Sequence, residues 1–156
     1  MAPAATDANG NSITYSANGL PAGISFNAST RTFSGTATTA GSYTVTYTAT
    51  PSVGSSTSTT FTITVPNATP VFGSAPSNQT VSPGTSWSYQ APAATNANGY
   101  TISYSASGMP SGISFNASTH TFSGTATTGG TSTVTYTATS NGGVSVSDTF
   151  TITVPT

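Results

Sequence analysis

Charge is almost missing from this chain. Of its 156 residues only 2% are Asp, Glu, Lys or Arg, and the net charge is −1, where an ordinary soluble domain carries about 25%. Arg31 stands alone among Lys and Arg. A basic stripe for nucleic acid needs clustered Lys and Arg, so nucleic acid is excluded as a partner. Polybasic attraction to anionic lipid is excluded on the same ground. Cysteine is absent, which removes disulfides and thiolate metal sites. No apolar run approaches the length of a membrane-spanning helix, so membrane insertion is not expected, and the first residues do not form a signal peptide. If the protein is secreted, its export signal is expected to have been removed or to lie elsewhere in a longer parent.

A helical period is missing too; period two takes its place. In Tyr43-Thr-Val-Thr-Tyr-Thr-Ala-Thr50, Tyr43, Val45, Tyr47 and Ala49 share one face, while Thr44, Thr46, Thr48 and Thr50 share the other. Thr60-Phe-Thr-Ile-Thr-Val65 repeats the pattern, with Phe61, Ile63 and Val65 inward. Such alternation predicts half-buried antiparallel strands. Ser and Thr make up roughly two residues in five, and Thr suits a pleated surface. The 16 Gly and 10 Pro punctuate the strands with turns, as at Asn9-Gly10, Asn18-Gly19, Pro83-Gly84, Asn98-Gly99 and Asn141-Gly142-Gly143. With so little charge and so much alternation, disorder is not expected.

The chain repeats itself. Ala2-Pro-Ala-Ala-Thr6 recurs as Ala91-Pro-Ala-Ala-Thr95, an offset of 91 − 2 = 89. The same offset maps Gly23-Ile-Ser-Phe-Asn-Ala-Ser-Thr30 onto Gly112–Thr119, and Phe61-Thr-Ile-Thr-Val-Pro66 onto Phe150–Pro155. No gap is needed, and roughly three-quarters of the paired positions are identical. The expected organisation is a first repeat over 1–66, a short proline-bounded linker over 67–70 and a second, complete repeat over 71–156. The second copy is preceded by Pro70–Gln90, a stretch with strand and turn signals; the first starts at the position matching Gln90 and has no such stretch before Ala2. Roughly seven short strands per complete unit predict an all-β fold: two tandem immunoglobulin-like sandwiches, the first lacking its N-terminal strand region.

The string Gly19-Leu-Pro-Ala-Gly-Ile-Ser-Phe-Asn27, then Thr32-Phe-Ser-Gly-Thr36, then Gly41–Thr50, resembles the putative-Ig and dystroglycan-type cadherin-like repeats of bacterial surface proteins. The second copy carries it as Gly108–Asn116, Thr121–Thr125 and Gly130–Thr139. The resemblance implies a module of a large secreted or surface-anchored protein, and hence an extracellular or cell-surface location. Such relatives often carry acidic residues before the first core strand and after the Thr-Ala-Thr strand, and some bind calcium there. This chain departs from that pattern: it has Asp7-Ala-Asn9-Gly10-Asn11 in one copy, Asn96-Ala-Asn98-Gly99-Tyr100 in the other, and Pro51 or Ser140 at the later position. Ca²⁺ takes six to eight oxygens, several of them anionic, so no metal or other cofactor is expected.

The titratable inventory is Asp7, Arg31, His120 and Asp148. Under the offset these pair with Asn96, His120, Arg31 and Thr59. No acid is kept between copies, and a catalytic unit repeated in tandem would keep its acid and base. The chain is therefore not expected to be an enzyme, and these four residues are expected at the solvated surface. Trp87 and Tyr89 lie two apart and turn to one face, so Trp87 is expected to fill the sandwich rather than stack on sugar. Phe26, Phe33, Phe61 and their counterparts Phe115, Phe122 and Phe150 are expected in the core.

One unusual feature remains. If the last strands pair, Thr44, Thr46, Thr48 and Thr50 align beside Thr60, Thr62 and Thr64 as a flat uncharged array, the candidate interaction surface. The leading expectation is a non-catalytic structural or adhesive repeat that forms fibres through strand-edge pairing. The alternative is a carbohydrate- or surface-binding module, ice included. Self-association and a glycan or surface ligand are the partners left open. At the unguarded edge of the first copy two expectations stand level: self-association through strand pairing, or an open edge that simply stays hydrated.

Overall fold

The computed structural model describes all residues from Met1 to Thr156, and they form strands and turns with no helix. The chain divides into two compact units, Met1–Asn67 and Ala68–Thr156. Unit 1 contains β1 (Ile13–Asn18), β2 (Ile24–Asn27), β3 (Thr32–Gly35), β4 (Gly41–Pro51) and β5 (Thr57–Val65). They make a three-stranded sheet of order β1-β4-β5 and a two-stranded sheet β2-β3. Unit 2 contains β6 (Val71–Phe72), β7 (Gln79–Thr80), β8 (Ser86–Gln90), β9 (Ala94–Thr95), β10 (Ile102–Ser107), β11 (Ile113–Asn116), β12 (Thr121–Thr125), β13 (Gly130–Ser140) and β14 (Ser145–Val154). Here the sheets are β10-β13-β14-β7, β11-β12-β8 and the short pair β6-β9. The roughly seven strands expected of a complete unit become nine: six have four residues or more, and β6, β7 and β9 have two each, too short to show alternation.

Register follows the repeat. Tyr15 faces Ala49 in unit 1 as Tyr104 faces Ala138 in unit 2, and Val45 faces Phe61 as Val134 faces Phe150. The second sheet is laid across these strands by aromatic contacts. Phe33 meets Phe61 edge-on at 5.3 Å, and Phe122 meets Phe150 at 5.2 Å. The two inward faces thus form one core in each unit, as a β-sandwich requires.

The motif glycines are explained by close backbone approach. Gly23 and Gly35 approach diagonally at the end of the β2–β3 hairpin, where Ile24 stands opposite Gly35, with φ of +89° and +127°. A Cβ on Gly23 would strike the Thr36 carbonyl oxygen, and one on Gly35 the Gly23 carbonyl oxygen. No other residue accepts both the left-handed backbone and the proximity.

Burial separates the copies. Phe122, Val134, Tyr136 and Ile152 are fully buried, and Phe150 is 2% exposed. Its counterpart Phe61, expected in the core, is 39% exposed. Tyr89 is what covers Phe150, at 5.7 Å, and unit 1 has no residue in that place. Trp87 follows its expected reading: half-buried, it stacks on Tyr89 at 6.3 Å and packs against the core.

Candidate functional site

The outer Thr array is assembled by the β4–β5 ladder. Thr44 stands opposite Thr62, Thr46 opposite Thr60 and Thr64 opposite Ser42. Thr48 lies opposite Ser58, with the two hydroxyls 2.8 Å apart, and Thr50 reaches the Ser56 hydroxyl at 3.0 Å. On the other side of β4, β1 extends the polar face, with Thr14 opposite Thr50 and Ser16 opposite Thr48. The seven threonines all recur in unit 2 as Thr133, Thr135, Thr137, Thr139, Thr149, Thr151 and Thr153. There too, hydroxyls pair across strands, Thr137 with Ser147 at 2.7 Å and Thr139 with Ser145 at 2.8 Å. Thr48 and Thr50, two of the seven, thus spend hydroxyl hydrogen bonds within the sheet.

The titratable residues serve local structure. The Asp7 carboxylate accepts from the backbone N–H of Asn9 at 2.8 Å and from the side-chain amide of Asn11 at 3.1 Å, closing the Asn9-Gly10 turn. In unit 2 the equivalent position is an amide for a reason an acid cannot meet. Asn96 donates its Nδ2 to the Ala68 carbonyl at 2.7 Å, and Asn98 Oδ1 accepts the Ala68 N–H at 2.8 Å. A carboxylate at Asn96 has no proton to donate. Arg31 and His120 are half-buried rather than fully solvated, a correction to the surface expectation. Both hold left-handed backbone, φ 51° and 42°. Each covers a tyrosine, Arg31 over Tyr15 at 5.5 Å and His120 against Tyr104 at 4.9 Å. The offset pairing of Arg31 with His120 was the available signal. Both types place a flat polar group over an aromatic ring.

Asp148 is half-buried as well, on the inward parity of β14 opposite Tyr136. Its unit 1 counterpart is Thr59. β5 pairs with β4 alone and β3 with β2 alone, so each has one open edge. Between these edges lies an apolar cleft of about 420 Å³, floored by Phe33, Tyr47 and Phe61 and bounded by Met1–Pro3 and Thr59–Thr60. A smaller hollow continues it between Ala4–Ala5 and Thr57–Thr59. This cleft, with its two unpaired edges, is the most distinctive surface of unit 1.

Comparison with protein families matches the chain twice, over residues 1–66 and again over 69–155, to the family described as Putative Ig domain. The chain belongs to the Putative Ig domain family. No curated protein matches it. Among solved structures, Drosophila N-cadherin EC1-3 aligns with 95% of this chain and 56% of its own length at 16% identity and TM-score 0.48. Titin domain M7 aligns over 59% of this chain and 99% of its own length at 16% identity and TM-score 0.42. A putative alpha-galactosidase from Bacteroides fragilis aligns over 55% of this chain at 22% identity and TM-score 0.44. The chain spans only 17% of that alpha-galactosidase's length. At such distances these likenesses bring no activity or partner to the Putative Ig repeats described here. The repeats are Ig-like sandwiches, a class that is typically non-catalytic, and no helix in them is long and apolar enough to cross a membrane.

Proposed function

We propose that the chain is a non-catalytic structural or adhesive repeat of a large secreted or cell-surface protein, forming fibres through strand-edge pairing. The observation that carries this reading is the recurrence of one sandwich twice in a single chain, in the same register and with the same outer Thr face. Tandem near-copies each bury their own core and add length or surface. The seven threonines of β4 and β5 supply a neutral, uncharged face for neighbouring modules. The long, nearly uncharged strands, in a chain with no Lys to block edge pairing, support fibre formation by pairing between strands. Pulling the chain between two reference domains tests the load-bearing role: two separate unfolding events are expected, one per unit. Binding on a glycan array that Trp87→Ala abolishes, with folding intact, would replace this reading with a carbohydrate-binding one.

A further inference from the structure

The two units also differ at the start of their central strands. Tyr43 and Ser132 are equivalent under the offset and hold the same register, Tyr43 opposite Ile63 and Ser132 opposite Ile152. In unit 1 the Tyr43 ring lies against Gly41, 3.5 Å from where a Cβ on that glycine would stand. Its hydroxyl donates to the Thr39 carbonyl at 2.9 Å. The backbone beneath the ring is alike in both units, with φ of +152° at Gly41 and +139° at Gly130. Over Gly130, however, nothing lies within 4 Å of the Cβ position, because Ser132 has no ring to place there. What remains is a groove of about 330 Å³ lined by Met109–Ser111 and Thr128–Ser132. Both lining segments have their counterparts in unit 1, as 20–22 and 39–43. Only the ring is gone.

We infer that this groove of unit 2 is a binding site for the side chain of a tyrosine presented by another polypeptide. Unit 1 supplies the chemistry, since its own tyrosine occupies the same place. Gly130, without a Cβ, lets a ring approach the backbone closely. Met109 and Pro110 give apolar walls, and the pliable thioether of Met109 suits an aromatic neighbour. The Thr128 carbonyl stands where the Thr39 carbonyl accepts from Tyr43, and a tyrosine hydroxyl leaving water needs such a partner. A phenylalanine fills the groove without that bond. A charged side chain finds no counter-ion, because no lining residue carries a charge. The site needs no strand edge, so it goes beyond the fibre-forming role and stands apart from it.

The test titrates the full, isotope-labelled chain with N-acetyl-tyrosinamide and follows backbone amide shifts by NMR. Saturable shifts are expected at Thr128–Thr133, with a dissociation constant of about 1 mM, as suits one small ring. N-acetyl-phenylalaninamide is expected to bind about tenfold more weakly for want of the hydroxyl. Ser132→Tyr gives unit 2 the residue that unit 1 already folds with, and is expected to abolish the shifts by filling the groove from within. Tyr43→Ser is expected to open the matching groove and add a second set of shifts at Thr39–Thr44. Four results would overturn the inference: no shift at Thr128–Ser132, whether or not other sites respond; equal binding of the phenylalanine amide; shifts that survive Ser132→Tyr; or stronger shifts at these amides from a methyl glucoside, which would make the groove a sugar subsite. Shifts at these amides on raising the concentration of the chain alone would assign it to a second copy and overturn the inference equally.

Discussion

Tyr47 and Tyr136 occupy the same place in two near-copies of one sandwich. Each donates its hydroxyl to a proline carbonyl, Tyr47 to Pro3 at 2.9 Å and Tyr136 to Pro92 at 2.8 Å. Each stacks on a neighbouring tyrosine, Tyr15 at 5.7 Å and Tyr104 at 5.8 Å. Each meets a phenylalanine edge-on, Phe33 at 6.4 Å and Phe122 at 6.1 Å. The difference lies on the remaining side. Phe72 covers Tyr136, which has no exposed surface, whereas Tyr47 lines the open cleft. Burial raises the Tyr136 hydroxyl far above the usual tyrosine value, and Tyr104 and Tyr89 add to the effect. Tyr47 is raised by burial as well, with Tyr15 adding and Arg31 opposing. Local geometry therefore belongs to the repeat itself, and the closure of the core belongs to the twenty or so residues that precede β9.

The comparison breaks most visibly at the facing phenylalanines. Phe122→Ala empties a fully buried site and is expected to cost unit 2 about 3–5 kcal/mol. Phe33→Ala in unit 1, where the side chain is already half-exposed, is expected to cost about half as much. Denaturant titrations read by Trp87, the single tryptophan, follow unit 2, and hydrogen exchange follows unit 1. Equal losses in the two units would mean that the cleft is closed in solution.

The hairpin glycines sharpen the comparison from the opposite side. Gly23→Ala and Gly112→Ala each force a Cβ against a threonine carbonyl oxygen, Thr36 or Thr125, at φ +89°. Both are expected to lose about 2 kcal/mol, because this strain lies within the β2–β3 hairpin and its copy rather than in the missing cover. A twofold disparity between them would show that the open edge has loosened the hairpin.

Tyr136→Phe is expected to cost about 1 kcal/mol near neutral pH through the lost bond to Pro92. Its alkaline behaviour says more. With the folded hydroxyl held above its unfolded value, the unfolded state loses its proton first, near pH 10. Above that pH the unfolded state binds fewer protons, so the stability of unit 2 falls as pH rises toward the folded value. Urea midpoints between pH 9 and pH 11 should decline for the native chain and flatten for Tyr136→Phe. A slope that survives the substitution would place the titration elsewhere.

The smallest effect concerns ions. Asp7 spends its carboxylate on its own turn, and Asn96 and Asn98 spend their side-chain amides on Ala68. Millimolar Ca²⁺, a chelator or added salt is expected to move either melting transition by no more than about 2 °C. A rise of many degrees with calcium would show a cation site in these loops.

The residues alone determined the class of fold, the offset of 89, the inward faces of β4 and β5 and the alignment of the Thr array. All of these follow from period two and turn chemistry, which are local. Alternation says which side of a strand is apolar but not which strand lies next to it. Only the tertiary structure decided that β7 joins β14 in parallel while β8, a few residues later, joins the other sheet. It alone placed Arg31 and His120 over tyrosines, tied Ala68 to Asn96 and Asn98, and left Phe61 at 39% exposure beside its 2% twin Phe150. Phe61 and Phe150 stand in the identical string Phe-Thr-Ile-Thr-Val-Pro. Their burial differs because burial depends on what the rest of the chain brings against a side chain, and only one copy has a Tyr89 to bring.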